Sequence, residues 1–92
     1  MKPKYFLYDK AFERTLGKYK NSLNETDLRK LKKQFEIFRE DIFDKRLRTH
    51  KWKGALSEYY AFSLSYSDRI VFKILEDGGV FLADIGSHDE VY

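Results

Sequence analysis

Two runs of alternating apolar residues, 70–75 and 80–85, flank the stretch Glu76-Asp77-Gly78-Gly79. Asp-Gly supplies the positive φ that a tight hairpin needs, so the runs are expected to pair antiparallel with Asp77 and Gly78 as the loop. That register opposes Leu75 to Val80, Ile74 to Phe81, Phe72 to Ala83 and Ile70 to Ile85. Every pair on the Ile70/Phe72/Ile74 side is then apolar, as a buried sheet face requires. Continued one step, it sets Arg69 opposite Gly86 on the other face, and alternation brings His88 out on the Arg69 side. A guanidinium and an imidazole thus converge at one end of the sheet.

Upstream, residues 5–8 (Tyr-Phe-Leu-Tyr) read as a short strand limited by Pro3. Asp9 is a suitable N-cap for a helix over about 10–20, with Phe12, Leu16 and Tyr19 at helical spacing and Gly17 weakening it. Asn24, with Asp27 three residues on, resembles a capping box. From there to about Phe43, Leu28, Leu31, Phe35, Phe38 and Ile42 recur every three or four residues and mark one buried stripe. Arg29, Lys30, Lys32, Lys33, Glu36 and Glu40 form the solvated face of the same helix.

After Gly54, residues 59–66 alternate, with Tyr60, Phe62, Leu64 and Tyr66 on one side. A two-residue Ser67-Asp68 loop would oppose Ser65 and Ser63 to Ile70 and Phe72. A three-residue loop or a bulge instead restores Leu64 to Phe72 and leaves Arg69 at the mouth of the hairpin. One N-terminal strand, two helices and an antiparallel three-strand meander make an α+β fold, both helices on one face of a small sheet and the other face free for a ligand. At 92 residues the chain reads as one domain, 1–92, with a single core.

Charge is informative by its placement. Residues 45–53, KRLRTHKWK, hold five Lys/Arg and no acid, which leaves −2 for the remainder once five are taken from the net +3. A local cationic cluster is what phosphate binding asks for, because each neutralised phosphate releases counterions. No cysteine is present, which rules out disulfides and thiolate metal sites and suits a reducing cytoplasm. Neither a signal peptide nor a membrane-spanning stretch is visible. Nothing suggests a metal or organic cofactor, since His50 and His88 lack an obvious third ligand at metal spacing.

The order strand, helix, helix, meander, with HKWKG before the second strand, DRIVF in the third and IGSHDEVY at the end, resembles the RelE/ParE superfamily of toxins from toxin–antitoxin modules. The closer likeness is to its YafQ and RelE-like mRNA interferase branch, whose members show HKLKG-like motifs and end in GTHDEVY or similar. The resemblance implies a cytoplasmic, ribosome-dependent endoribonuclease that cuts mRNA in the 16S rRNA decoding site without a metal and is inhibited by a cognate antitoxin. The YafQ-type pattern has a further histidine and an aspartate in and after the second strand. This chain has Ser63 and Ser65 there, with Asp68 nearby, so a three-histidine mechanism does not carry over. The ParE branch, which acts by binding DNA gyrase, and an inactive antitoxin-binding homologue are the alternatives within the same fold.

Metal-free RNA cleavage needs a base for the 2′-hydroxyl proton, an acid for the leaving 5′-oxygen and cations around the phosphorane. His88 is the candidate acid, because imidazole titrates near neutrality. Arg69 offers a permanent charge on a planar fork, unless Asp68, Asp84 or Asp89 claims it as an ion pair. His50 is a candidate base or phosphate contact, and Tyr92 could stack on a base or join proton transfer. Arg48, Lys51, Lys53 and Lys73 are the candidates for RNA contact. Trp52 reads as a core anchor. Asp89 and Glu90 could orient His88 or meet a basic protein surface.

Overall fold

The computed structural model describes residues 1–51 and 58–87. Strand β1 (Phe6–Tyr8) leads into helix α1 (Lys10–Asn21), which Asp9 caps by accepting from the Phe12 N–H at 2.9 Å. Helix α2 (Glu25–Glu40) starts at Asn24, whose side chain accepts from the Asp27 N–H at 2.8 Å. Both starts follow from a short polar side chain satisfying an N–H that has no partner within the helix.

Helix α2 ends at Glu40, three residues short of the expected Phe43. There the Ile42 N–H donates to the Met1 carbonyl at 2.9 Å instead of continuing the helical ladder. Ile42 is nevertheless fully buried, so the apolar period outlasts the helix that it marks. A single 3-10 turn, Lys45–Leu47, follows and drops Leu47 into the core.

The sheet has five strands where four were expected. Strand β2 (His50–Lys51) adds an edge to β3 (Tyr59–Ser63), followed by β4 (Asp68–Ile74) and β5 (Val80–Ser87), in the order β1-β5-β4-β3-β2. β1 runs parallel to β5, and the other neighbours are antiparallel. Two residues of strand carry no periodicity, which is why β2 is silent in the sequence.

Both hairpin registers differ locally from expectation. The β4–β5 turn has three residues, Glu76 to Gly78, closed by the Leu75 N–H on the Gly79 carbonyl at 2.8 Å, with Gly78 at φ 94°. Ile74 therefore faces Val80 and Phe72 faces Leu82, one residue off the two-residue-loop register. A bulge at Ala83 takes up the difference, and Ile70 meets Ile85 and Arg69 meets Gly86 as expected. In the β3–β4 hairpin the loop is Ser65-Tyr66-Ser67, the Leu64 N–H bonding the Asp68 carbonyl at 2.9 Å. Phe62 thus faces Ile70 and Tyr60 faces Phe72, so the expected Leu64–Phe72 pair does not form. Asp68 fixes this choice, since its Oδ2 accepts from Tyr19 Oη at 2.8 Å and from Ser65 Oγ at 3.1 Å.

Both helices pack on one sheet face. Phe38 of α2 is fully buried, stacked on Phe62 at 4.2 Å between centroids and edge-on to Phe72 at 4.9 Å. Phe12, Leu31, Ile70, Val80, Leu82 and Ile85 belong to the same cluster. The opposite face is not open throughout, because Ala61, Val71 and Ser63 on it are also buried.

Candidate nucleic-acid interface

Cross-strand partners share a face. His50 faces Ala61 and Ala61 faces Val71, while Ser63 and Arg69 form the next pair along. His50 and Arg69 therefore lie on the same, helix-free face, about 12 Å apart at Cα by strand spacing. Lys51 faces Tyr60 and belongs to the helix side of the edge strand. Lys73, four residues from Arg69 on β4, shares its face roughly 13 Å away. There it pairs with Glu58 at 3.3 Å and lies 6.0 Å from the Tyr59 ring centre. His50 and Arg69 are thus brought to one side, while Lys51 and Lys73 stand apart from Arg69. His88, Tyr92, Lys53, Trp52, Asp89 and Glu90 lie outside the described residues.

Arg69 is held by backbone carbonyls. Its Nη1 donates to the carbonyls of Ser65 (3.0 Å), Tyr66 (3.3 Å) and Asp68 (3.1 Å). Among the described residues it forms no ion pair, so neither Asp68 nor Asp84 neutralises it. Carbonyl dipoles orient a guanidinium but leave its full charge in place. Its Nε is buried with no hydrogen-bond partner among the described residues, as is Ser63 Oγ.

The basic segment reaches the same corner. Arg46 and Arg48 join Arg69, Gln34, Ser63, Leu64, Ser65 and Tyr66 around a cavity of about 250 Å³. Gln34 of α2 braces it by donating to the Ser63 carbonyl at 2.8 Å. Arg46 binds Asp44 through Nε (3.0 Å) and Nη2 (2.9 Å), which holds the Asp44 carboxyl down to about 2 and raises the guanidinium's own pKa. Arg48 adopts a left-handed backbone, φ 54°, at the end of the 3-10 turn. A non-glycine residue there is strained by about 1 kcal/mol or more, and such strain gathers at functional corners. The Arg48 carbonyl meets His50 Nδ1 at 2.9 Å. A carbonyl only accepts, so Nδ1 carries the hydrogen and Nε2 is the basic nitrogen of the neutral ring.

Three arginines from two distant segments therefore ring one cavity, and a histidine is tethered to one of them. Sequence reasoning named Arg48, Arg69 and His50 but missed Arg46, Gln34, Ser63 and Tyr66 as cavity residues. Only the charge run 45–53 pointed toward Arg46. A second, larger and mostly apolar groove of about 860 Å³ opens between α1, α2 and β1, with Phe12, Leu16, Leu28 and Phe35 among its walls.

No protein-family model matches the chain, and no curated protein matches it by sequence. Solved structures do match. A chain of the Escherichia coli DinJ–YafQ complex aligns with a TM-score of 0.72 at 13% identity, over 95% of this chain and 96% of that one. A conserved hypothetical protein of Helicobacter pylori, solved in solution, aligns over the whole of both chains with a TM-score of 0.67 at 18% identity. A metal-bound toxin of the same bacterium does so with a TM-score of 0.65 at 22% identity. What these identities share is architecture: the chain has the RelE-like fold of the YafQ-type toxins that its motifs resemble.

Proposed function

We propose that this chain is the toxin of a type II toxin–antitoxin pair and acts as a ribosome-dependent mRNA endoribonuclease. The observation that carries the reading is the arginine-ringed corner, with Arg69 unpaired among the described residues, on the same sheet face as an oriented His50 and on a toxin fold. The base removes the 2′-hydroxyl proton, and the 2′-oxygen attacks phosphorus. The P–O5′ bond then breaks as the acid protonates the departing oxygen, leaving a 2′,3′-cyclic phosphate. His50 takes the base role, supported by the tautomer that the Arg48 carbonyl selects. Arg69 stabilises the phosphorane charge, and His88 is the acid. Tyr92, Lys51 and Lys53 complete the RNA contacts, with Lys73 at the far end of the face. A cognate antitoxin is the protein partner, as the DinJ–YafQ complex suggests by analogy, and the apolar groove between α1 and α2 offers an amphipathic segment a surface to cover.

The test is a cell-free translation reaction with mRNA ends mapped by primer extension. Wild-type protein should cut within translated codons and leave naked RNA whole. Arg69→Ala and His88→Ala should each lower cutting at least about a hundredfold. Intact message alongside growth arrest in cells would turn attention to a contact target such as gyrase.

A further inference from the structure

The cavity and the side chain at its lip ask for different parts of one ligand. Tyr66 sits at the apex of the Ser65–Ser67 loop and is 98% exposed. A tyrosine that buries nothing contributes nothing to the core, yet this one stands beside a cationic cavity. At about 250 Å³ the cavity is below the roughly 300–1,000 Å³ of ordinary small-molecule sites. It admits a phosphate, with some sugar, and leaves a base outside.

Resting on the RNase reading, we propose that this corner is a nucleotide subsite for single-stranded RNA: Arg48 and Arg69 hold a backbone phosphate in the cavity, and Tyr66 stacks on the neighbouring base. Three features support it. Among the described residues Arg69 has no carboxylate partner, so it presents its charge to the cavity. Arg48 forms no ion pair among the described residues. Arg69 also binds the Tyr66 carbonyl, so the phosphate ligand and the stacking platform are mechanically joined. A base stacked on an open ring is read by its π face, which is tolerant of sequence, so the subsite sets affinity and position more than codon identity.

The experiment measures binding of a fluorescently labelled tetraribonucleotide with 2′-O-methyl sugars, which cannot be cleaved, to the intact protein. Tyr66→Leu should weaken binding about tenfold, and Tyr66→Phe, which keeps the ring, should stay within about twofold. Arg48→Gln should weaken it and lower the salt dependence by about one phosphate contact. Equal binding by wild type and Tyr66→Leu overturns the proposal. So does a wild type that ignores the oligonucleotide but binds an acidic tetrapeptide, which would make the corner a docking point for a protein partner. Cleavage of translated mRNA is scored separately. A wild type that cuts message but whose Tyr66→Leu binds normally loses the subsite and keeps the RNase reading. Ring-dependent binding without cutting does the reverse.

Discussion

At the scale of single residues, Tyr19 carries more of the site than its position in a helix suggests. Burial first, and then its bond to Asp68, push its phenol up to about 12, while a contact from Ser65 works in the opposite direction. A raised folded-state pKa means that the unfolded chain releases this proton more readily. The stabilisation is therefore complete below the ordinary value of 10.0 and is lost as pH rises through about 12. Ultraviolet titration of phenolate should show a late component that Tyr19→Phe removes; loss of a component near 10 instead would contradict the Asp68 clamp. Asp44 has the opposite sign. Its depressed pKa gives stability present above 3.8 and lost as pH falls toward about 2. These two groups bracket the corner, one through the loop beneath Arg69 and one through Arg46.

At the scale of elements, local chemistry was legible and distant chemistry was not. The starts of α1 and α2 were readable because Asp9 and Asn24 act on residues three positions away. The apolar stripe of α2 was readable for the same reason, and its centre predicts a cost. Phe38→Ala removes a ring packed between Phe62 and Phe72 and should destabilise the fold by about 3–5 kcal/mol in denaturant unfolding. A loss under about 1 kcal/mol would mean the core is not built on that stack. The length of the β4–β5 turn and the position of the three-residue β3–β4 loop escaped because both depend on partners far along the chain. The Ser65–Ser67 loop is set by Tyr19, 49 residues before Asp68, and the Glu76–Gly78 turn is braced by the Lys4 N–H on the Gly78 carbonyl. The cavity was hidden for the same reason, since α2, the 3-10 turn and the β3–β4 hairpin each contribute only part of it. What the sequence did show was the pairing of Arg69 with Gly86, because the apolar side of β4 is fixed by burial however the turn closes.

At the scale of the whole molecule, charge is segregated. A chain of net +3 carries its surplus in residues 45–53, and Arg46 and Arg48 of that run meet Arg69 at one corner. Binding to unstructured polyuridylate should weaken with salt at a logarithmic slope of about −2 to −3, the value for three or four neutralised phosphates on a single strand. A slope near zero between low and physiological salt would show that the corner is not used for RNA. The apolar groove between the helices lies apart from this corner, so an antitoxin seated there and an RNA at the arginines would compete only if the antitoxin reaches around the sheet.

The bulge at Ala83 acts as a phase shifter. Leu82 and Ile85 both enter the core although they stand three positions apart, an odd spacing that a regular strand cannot satisfy. Removing Ala83 would leave a regular ladder in which Leu82 still meets Phe72, Asp84 meets Val71 and Gly86 meets Arg69. Flattening the bulge with Ala83 kept in the ladder would instead turn Ile85 out of the core and against Arg69. In chains of this architecture, a single-residue deletion at the bulge is therefore silent in parity, whereas losing one paired residue of β5 with the bulge retained would turn every later side chain to the opposite face and rotate one wall of the site.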